Sequence, residues 1–406
     1  MKYWIKMIAA LVMGLIVGTY INQDSSILEP FRIIGVMFFR ALSFIILPLL
    51  FFSVTRSILY LKSQKRLFII LTKSIGFFLL LTVIGAAIGV VLGDVLMPGA
   101  GINIGKIETP ALISYPKTSD YITKIIPDSI FNLLKSPKTV YPIIFVAYIL
   151  ALGIGLAKSK GDYLANLINS IDEIIHKTNI LILEFLPIGV FTYIGYLLGS
   201  RTTDLILPYL KLLLIIIGGA FIHIFIIQTV LVFLFTKKNP FVLIHAVLPS
   251  AILAGVCGNR YISYSSIVEN IEHNMGADRE VFTFTSSIGI ALSLSGSAIS
   301  AGVMTLFIAQ AYGLDLSVYL QIIIVFLITL FSLKLDGVFK AGLVILSVVL
   351  SYVVKLPQEG YALVLGITPV IIQIETIVNT TGNAAVSYII AHSENATSDI
   401  ALKDFL

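Results

Sequence analysis

The sequence predicts an all-α polytopic membrane protein with about eight transmembrane helices plus two shorter apolar doublets, candidates for re-entrant helical hairpins. Three observations carry that reading. Of 406 residues, 58% are hydrophobic and 12% charged, with a mean hydropathy of +1.00. Soluble domains carry roughly 25% charged and 45–50% apolar residues, so this chain has too little polar surface to shield a water-soluble core. Second, stretches free of Asp, Glu, Lys and Arg recur at Met7–Gln23, Ser74–Gly93, Thr139–Ala157, Leu212–Thr236, Asn239–Asn259 and Val281–Leu314. Most reach the ~20 residues that a helix needs to cross the hydrocarbon core. Third, the last third interleaves its apolar runs with charge, whereas the first half is compositionally ordinary for a membrane protein.

In chain order, the spans fall near 4–22, 31–61, 67–96, 139–157, 179–199, 205–236, 280–312 and 360–393. The first follows Lys2 and Lys6 and imitates a signal peptide. No small-x-small cleavage site ends it (Gly18, Thr19, Tyr20, Ile21, Asn22), which favours an uncleaved span. Lys62, Lys65 and Arg66 divide the second span from the third; Lys158 and Lys160 follow the fourth; Lys237 and Lys238 follow the sixth. These basic loops and the Lys2/Lys6 terminus lie on alternate connections, which predicts a cytoplasmic N-terminus. The loop from Pro98 to Lys138 departs from the rule with five lysines, although Glu108, Asp120 and Asp128 offset them and long loops follow the rule weakly.

The doublets 240–275 and 316–355 are each interrupted by charge near the middle, with Arg260, Glu269 and Glu272 in one and Lys334, Asp336 and Lys340 in the other. A charge at bilayer depth costs roughly 2.5–3.5 kcal/mol on insertion scales, so such residues face protein or a water-filled cavity. A broken apolar doublet is a re-entrant hairpin where its tip lines a cavity, or else two ordinary antiparallel spans. Each doublet is followed by a long span, a repeat pattern common in secondary transporters.

Other features exclude functions. The net charge of +5 comes from lysines and arginines in short loops, where they orient the chain, so no nucleic-acid partner is expected. One cysteine, Cys257, rules out an intramolecular disulfide and a multi-Cys metal site. No phosphate loop, no His-Glu-x-x-His and no Gly-x-Ser-x-Gly element occurs, so no enzyme activity, metal centre or cofactor is expected. His223 and His245 read as packing residues in apolar runs, and His392 and Glu184 as interfacial.

Several segments, in order along almost the whole chain, resemble the dicarboxylate/amino acid:cation symporter family, the glutamate transporter family. They are Phe38–Ser53 with Arg40 and Pro48; Met97 through Ile102; Ile125 through Asp128 followed by Tyr141 through Phe145; Leu186 through Phe191; and Val378 through Asn383. The resemblance implies a glutamate-transporter-like elevator fold and a homotrimer. Residues 1–238 would be mainly scaffold and trimerisation spans with part of the transport unit. Residues 239–394 would be the transport core (hairpin 240–275, span 280–312, hairpin 316–355, span 360–393), and 395–406 a cytoplasmic tail. The protein would lie in the plasma membrane, with the lipid bilayer and a small polar solute as partners.

The transport core departs from the family. Its Asn-Met-Asp-Gly-Thr motif is here Ser293, Leu294, Ser295, Gly296 and Ser297, and the carboxylate of the eighth span is replaced by Asn383. A helix broken at Gly296 exposes carbonyls able to hold a hard cation. The cation-binding set implied is Gly289, Ser293, Ser295, Asn379 and Asn383. With no anionic member it should bind sodium weakly, so coupling to sodium is expected to be reduced or absent. The family's aspartate for a substrate amino group becomes Ile372, and its arginine for a side-chain carboxylate becomes Glu375, whose charge should repel glutamate or aspartate. The substrate set implied is Arg260, Ser297, Val338, Gly342, Glu375, Thr376 and Asn379. Glu375 is either a proton carrier or selector of a cationic substrate, or a structural ion-pair member facing Arg260 or Lys340.

The reading is a secondary active transporter, with proton- or sodium-coupled symport of an amino acid or dicarboxylate such as glutamate or aspartate. Two rivals stay open: a carrier of neutral or cationic amino acids, and a non-transporting or channel-like relative whose substrate site has decayed.

Overall fold

The computed structural model describes residues 3–20, 26–63, 65–100, 141–157, 159–199, 210–332, 364 and 367–398. Among these, the chain is helical throughout, with one isolated backbone bridge, Ala277 to Thr397. The helices are α1 (Tyr3–Tyr20), α2 (Leu28–Ser63), α3 (Leu67–Leu96), α4 (Tyr141–Leu156), α5 (Ser159–Glu184), α6 (Leu186–Gly199), α7 (Leu210–Thr236), α8 (Pro240–Cys257), α9 (Arg260–Met275), α10 (Arg279–Leu292), α11 (Ser295–Ala311), α12 (Val318–Ser332) and α13 (Thr368–Ser393). Among the described residues, four helical segments are long and apolar enough to cross a bilayer: Leu67–Leu96, Leu210–Thr236, Pro240–Cys257 and Arg279–Ala311, the last being α10 and α11 together.

Burial separates the spans by role. The Arg279–Ala311 segment buries 94% of its most apolar window, against 39% for Leu67–Leu96 and 44% for Leu210–Thr236. The first is therefore wrapped by protein on all sides, whereas the other two present one face outward, as lipid-facing helices do. Lipid tails are as apolar as Leu, so helices in a membrane associate through close packing. Gly85, Gly89 and Gly93 stand one turn apart on α3, and a Cβ on Gly89 would lie 2.2 Å from the Ile299 carbonyl oxygen of α11. Gly302 answers from α11, with an added Cβ 2.8 Å from the Val90 nitrogen. The two backbones touch there, and no larger residue fits.

The helices pack in two groups that meet where α2 lies against α9 and α10 and where α1 lies against α8. α2 lies along α4, α5 and α6, and α1 lies on α6. α11 lies along α3 and α13, while α8, α9 and α10 gather around α13. Although they precede residue 239, α3 and α7 therefore pack with the later helices. An ion network joins the groups: Arg56 of α2 reaches Asp172 of α5 at 3.1 Å and Glu280 of α10 at 2.7 Å, and Arg279 lies 3.6 Å from the same Asp172. Ser53 donates to the other Asp172 oxygen.

The first doublet is a helical hairpin. α8 ends on Gly258 in the left-handed region, φ +57°, and the Asn259 side chain accepts from the Tyr261 nitrogen to cap α9. Of the second doublet, α12 is described and 333–355 lies outside the described residues. The fifth span differs from expectation. The chain forms α5 from 159 and then α6 from 186, rather than one span over 179–199. α5 is amphipathic, with buried Ile168, Asp172, His176 and Asn179 on one face, so a purely apolar pattern does not reveal it. The start of the expected tail is docked: the Asp278 nitrogen donates to the Ala396 carbonyl and the Ser398 nitrogen to that of Gly276, each at 2.8 Å.

Candidate functional site

The interruption between α10 and α11 organises the site. Ser293 (φ −78°, ψ 88°) and Leu294 (φ −120°, ψ 23°) leave the helical path. Serines favour such a break because their hydroxyls compete for nearby backbone groups. The break lies at 293–294 rather than at Gly296, which corrects the expectation from sequence. Gly296 sits in the first turn of α11, where a Cβ would be 2.3 Å from the Glu375 carbonyl oxygen. Its small size serves the contact between α11 and α13.

A helix break orphans carbonyls on one side and N–H groups on the other. Two side chains answer them. Asn379 Oδ1 accepts from the Gly296 nitrogen at 2.7 Å. Arg260, from the start of α9, donates Nη1 to the Ser293 carbonyl at 2.8 Å. A guanidinium therefore stands where the exposed carbonyl end attracts a cation.

On α13, Ile372, Glu375, Thr376, Asn379 and Asn383 recur at three- and four-residue spacing, so they share a face. Glu375, 6% exposed, accepts from Ser297 Oγ at 2.9 Å and, on its other oxygen, from Ser300 Oγ. Asn379 also donates weakly to Ser297 Oγ at 3.4 Å, and its backbone carbonyl accepts from Ser293 Oγ at 2.9 Å. Thr376 returns its hydroxyl to the Ile372 carbonyl at 2.6 Å. Arg260, Ser293, Ser297, Glu375 and Asn379 are thus brought together, while Thr376 is occupied with its own helix. Val338 and Gly342, with Lys340, lie outside the described residues.

Asn383 belongs to an adjacent cluster. Its Nδ2 donates to the carbonyl and the hydroxyl of Ser286, both at 3.1 Å, and its Oδ1 accepts from Ser387 at 3.2 Å. Its oxygen presses on Gly289, where a Cβ would stand 1.9 Å away. Ser295 Oγ is buried with no hydrogen-bond partner among the described residues. An added Cβ on Gly382 would meet Ser293 Oγ, Gln228 Nε2 and Ser295 Oγ between 3.3 and 3.5 Å, so three polar groups converge on one point. Gln228 belongs to a π turn, His223–Gln228, in which its Nε2 donates to His223 Nδ1 at 3.1 Å and His223 Nε2 donates to the Leu81 carbonyl at 3.3 Å. With both ring nitrogens engaged, His223 is a packing histidine.

The oxygens around the break are neutral, except for the carboxylate of Glu375. One of them, the Ser293 carbonyl, already holds a guanidinium. Ser295 Oγ is open to a cation, but the Ser293 carbonyl and the Ser293 hydroxyl beside it already have partners, so a sodium ion there would compete for most of its ligands. Three participants were not singled out from sequence: Ser300, Ser286 and Gln228. Ser300 was readable, because it stands one turn beyond Ser297 on the same face of α11. Gln228 was hidden, because a π turn shifts the helical register.

The family model described as the sodium:dicarboxylate symporter family matches residues 3–393. Among relatives, a proton/sodium-glutamate symport protein of Bacillus caldotenax is 26% identical over 405 residues, covering 98% of this chain and 95% of that protein. A C4-dicarboxylate transport protein of Bacillus subtilis is 25% identical over 400 residues, covering 96% and 93%. A proton/glutamate-aspartate symporter of Escherichia coli is 25% identical over 406 residues, covering 95% and 91%.

Proposed function

The chain belongs to the sodium:dicarboxylate symporter family, a family of transporters rather than enzymes, and from that premise we propose that it is a secondary active transporter. It carries out cation-coupled symport of an amino acid or dicarboxylate of the glutamate and aspartate class. The observation that supports this is the interrupted α10–α11 segment, buried against Asn379 and Glu375. Interrupted helices near the middle of a bundle provide substrate and ion sites, because their ends carry unpaired backbone groups.

We read the helices around α13 as the moving transport unit, together with α3 and α7, and α1, α2, α4, α5 and α6 as the scaffold of an elevator. The two packing groups support that division, with the Arg56 network as the joint between them. The working unit is a homotrimer in the plasma membrane, with the N-terminus in the cytoplasm.

Proton is the favoured coupling ion. Glu375 is buried on two serine hydroxyls and is the one carboxylate among the residues gathered at the break. A carboxylate there can neutralise itself by taking a proton as the unit crosses the bilayer. The same charge favours a second reading, transport of a neutral or cationic amino acid, because an acidic side chain approaching Glu375 is repelled. Uptake of labelled glutamate, aspartate and succinate into proteoliposomes, under an inward proton or an inward sodium gradient, tests both. Proton-driven uptake of any of the three supports the first reading. No uptake of these, with proton-driven uptake of labelled alanine or lysine, supports the second. No uptake of any would move the assignment to a non-transporting relative.

A further inference from the structure

A cluster of metal-ligating groups lies away from the helix break, between α5 and α9. Glu269, Glu272 and His273 occupy one face of α9 at spacings of three and four residues, and His176 faces them from α5. His176 Nε2 is 2.8 Å from Glu269 Oε2, and His273 Nε2 is 2.7 Å from Glu269 Oε1. His176, Glu269 and Glu272 each offer a ligand atom, all within 4.8 Å of one another. His176 is 9% exposed.

The internal contacts leave the cluster unsatisfied. Glu269 Oε2, although close to His176, is off the hydrogen-bonding direction, and Glu272 Oε2 is buried without a hydrogen-bond partner among the described residues. Arg279 Nε lies 3.9 Å from Glu272 Oε2, beyond hydrogen-bonding distance. Two carboxylates and the His176 imidazole thus converge where a divalent ion would supply both the missing charge and the missing ligand bonds.

We propose that His176, Glu269 and Glu272 form a site for a divalent transition-metal ion of the zinc class, its fourth position left to water. Mixed imidazole and carboxylate donors suit zinc and its neighbours better than magnesium or calcium, which prefer oxygen alone. Zinc holds such ligands at about 2.0–2.2 Å, so the Glu272 oxygen would draw in while the close His176–Glu269 pair opens slightly to admit the ion. Access is available, because Glu272 also lines an open polar cavity of about 660 Å³ together with Arg56, Asp278 and Arg279. His176 comes from the group we read as scaffold and the two glutamates from the group we read as mobile. The ion would therefore staple the two in the arrangement seen here and arrest transport. That consequence, unlike the site itself, rests on the proposed function.

The test uses the full chain in lipid nanodiscs and in proteoliposomes. Calorimetric titration with zinc chloride should give one ion per chain, bound roughly tenfold or more weakly by Glu272→Gln and by His176→Gln. Cobalt(II) should give the visible absorption of a tetrahedral nitrogen–oxygen site, lost in both variants. Thermal midpoints measured in EDTA identify any variant that is misfolded, and Glu272→Gln disturbs no hydrogen bond. Absence of zinc binding, or binding unchanged in a folded Glu272→Gln, overturns the site. Micromolar zinc should also slow uptake reversibly in the native chain and not in Glu272→Gln. Zinc that binds with the cobalt signature but leaves uptake unchanged supports the site and overturns the staple. Absence of uptake in metal-free protein counts against the transport reading, while calorimetry still decides the site.

Discussion

The closest backbone contact at the break gives a substitution whose sign can be worked out in advance. Gly296→Ala adds one methyl group in the first turn of α11. In an open helix, alanine is favoured over glycine by about 0.5–1 kcal/mol. At Gly296 the new Cβ would stand 2.3 Å from the Glu375 carbonyl oxygen and 2.9 Å from its Cα. These are backbone atoms, so no side-chain rotation relieves the clash and α11 must move off α13 by about an ångström. Overpacking of this kind costs about 1–3 kcal/mol. The shift also stretches the 2.7 Å bond from the Gly296 nitrogen to Asn379, and an unsatisfied buried group adds about 1–3 kcal/mol. After the helix-propensity gain is subtracted, Gly296→Ala should lose about 1–5 kcal/mol. Gly218→Ala is the matched control, since an added Cβ there meets nothing within 4 Å, and it should be neutral or slightly stabilising. Thermal unfolding followed by a thiol-reactive fluorogenic dye reports both, because Cys257 at the end of α8 is the single cysteine. A Gly296→Ala protein that melts with the native chain would refute the close approach of α11 to α13.

Three further outcomes follow from the same contacts. Glu375→Gln keeps the shape and an acceptor for Ser297 but cannot ionise; proton-driven uptake should lose its dependence on pH, and a wild-type pH profile in the variant would remove Glu375 as the proton carrier. Arg260→Gln frees the Ser293 carbonyl, so replacing N-methylglucamine by sodium should stabilise the variant and not the native chain; sodium at ten times its dissociation constant contributes about 1.4 kcal/mol, and identical melting in the two salts would count against the guanidinium as the cation of the break. At the end of α13, partial burial of Glu394 raises its carboxyl pKa, but hydrogen bonds from Lys73 and Arg66 outweigh that and hold it below the ordinary carboxylate range. A lowered folded pKa stabilises the protein above the unfolded value, and that contribution is lost as pH falls through the folded one. Glu394→Gln should therefore cost about 1 kcal/mol at neutral pH, and the gap to the native chain should close in acid; a gap constant with pH would remove the ion pair as its cause.

Hydropathy belongs to each residue separately, so the chain by itself determined that this is a helical membrane protein. It also determined where most spans fall, and that the last third carries charges which must be buried or hydrated. The hairpin of α8 and α9 was readable for a similar local reason: Gly258 supplies a left-handed turn and Asn259 a cap. The absence of an aspartate from the broken helix, and of an arginine at Glu375, was plain from residue identity.

What replaces those groups depended on the tertiary structure. Arg260 bonds to a carbonyl 33 residues away, and the carboxylate of Glu375 bonds to hydroxyls 75 and 78 residues away. No local pattern encodes such pairings. α5 escaped an apolar reading because its buried face carries Asp172 and His176. Those residues become stable only when Arg56 from α2, and Arg279 and Glu269 from beyond residue 260, are folded beside them. Burying a charge is costly alone and tolerable when paired, and the pairing exists only after distant segments meet.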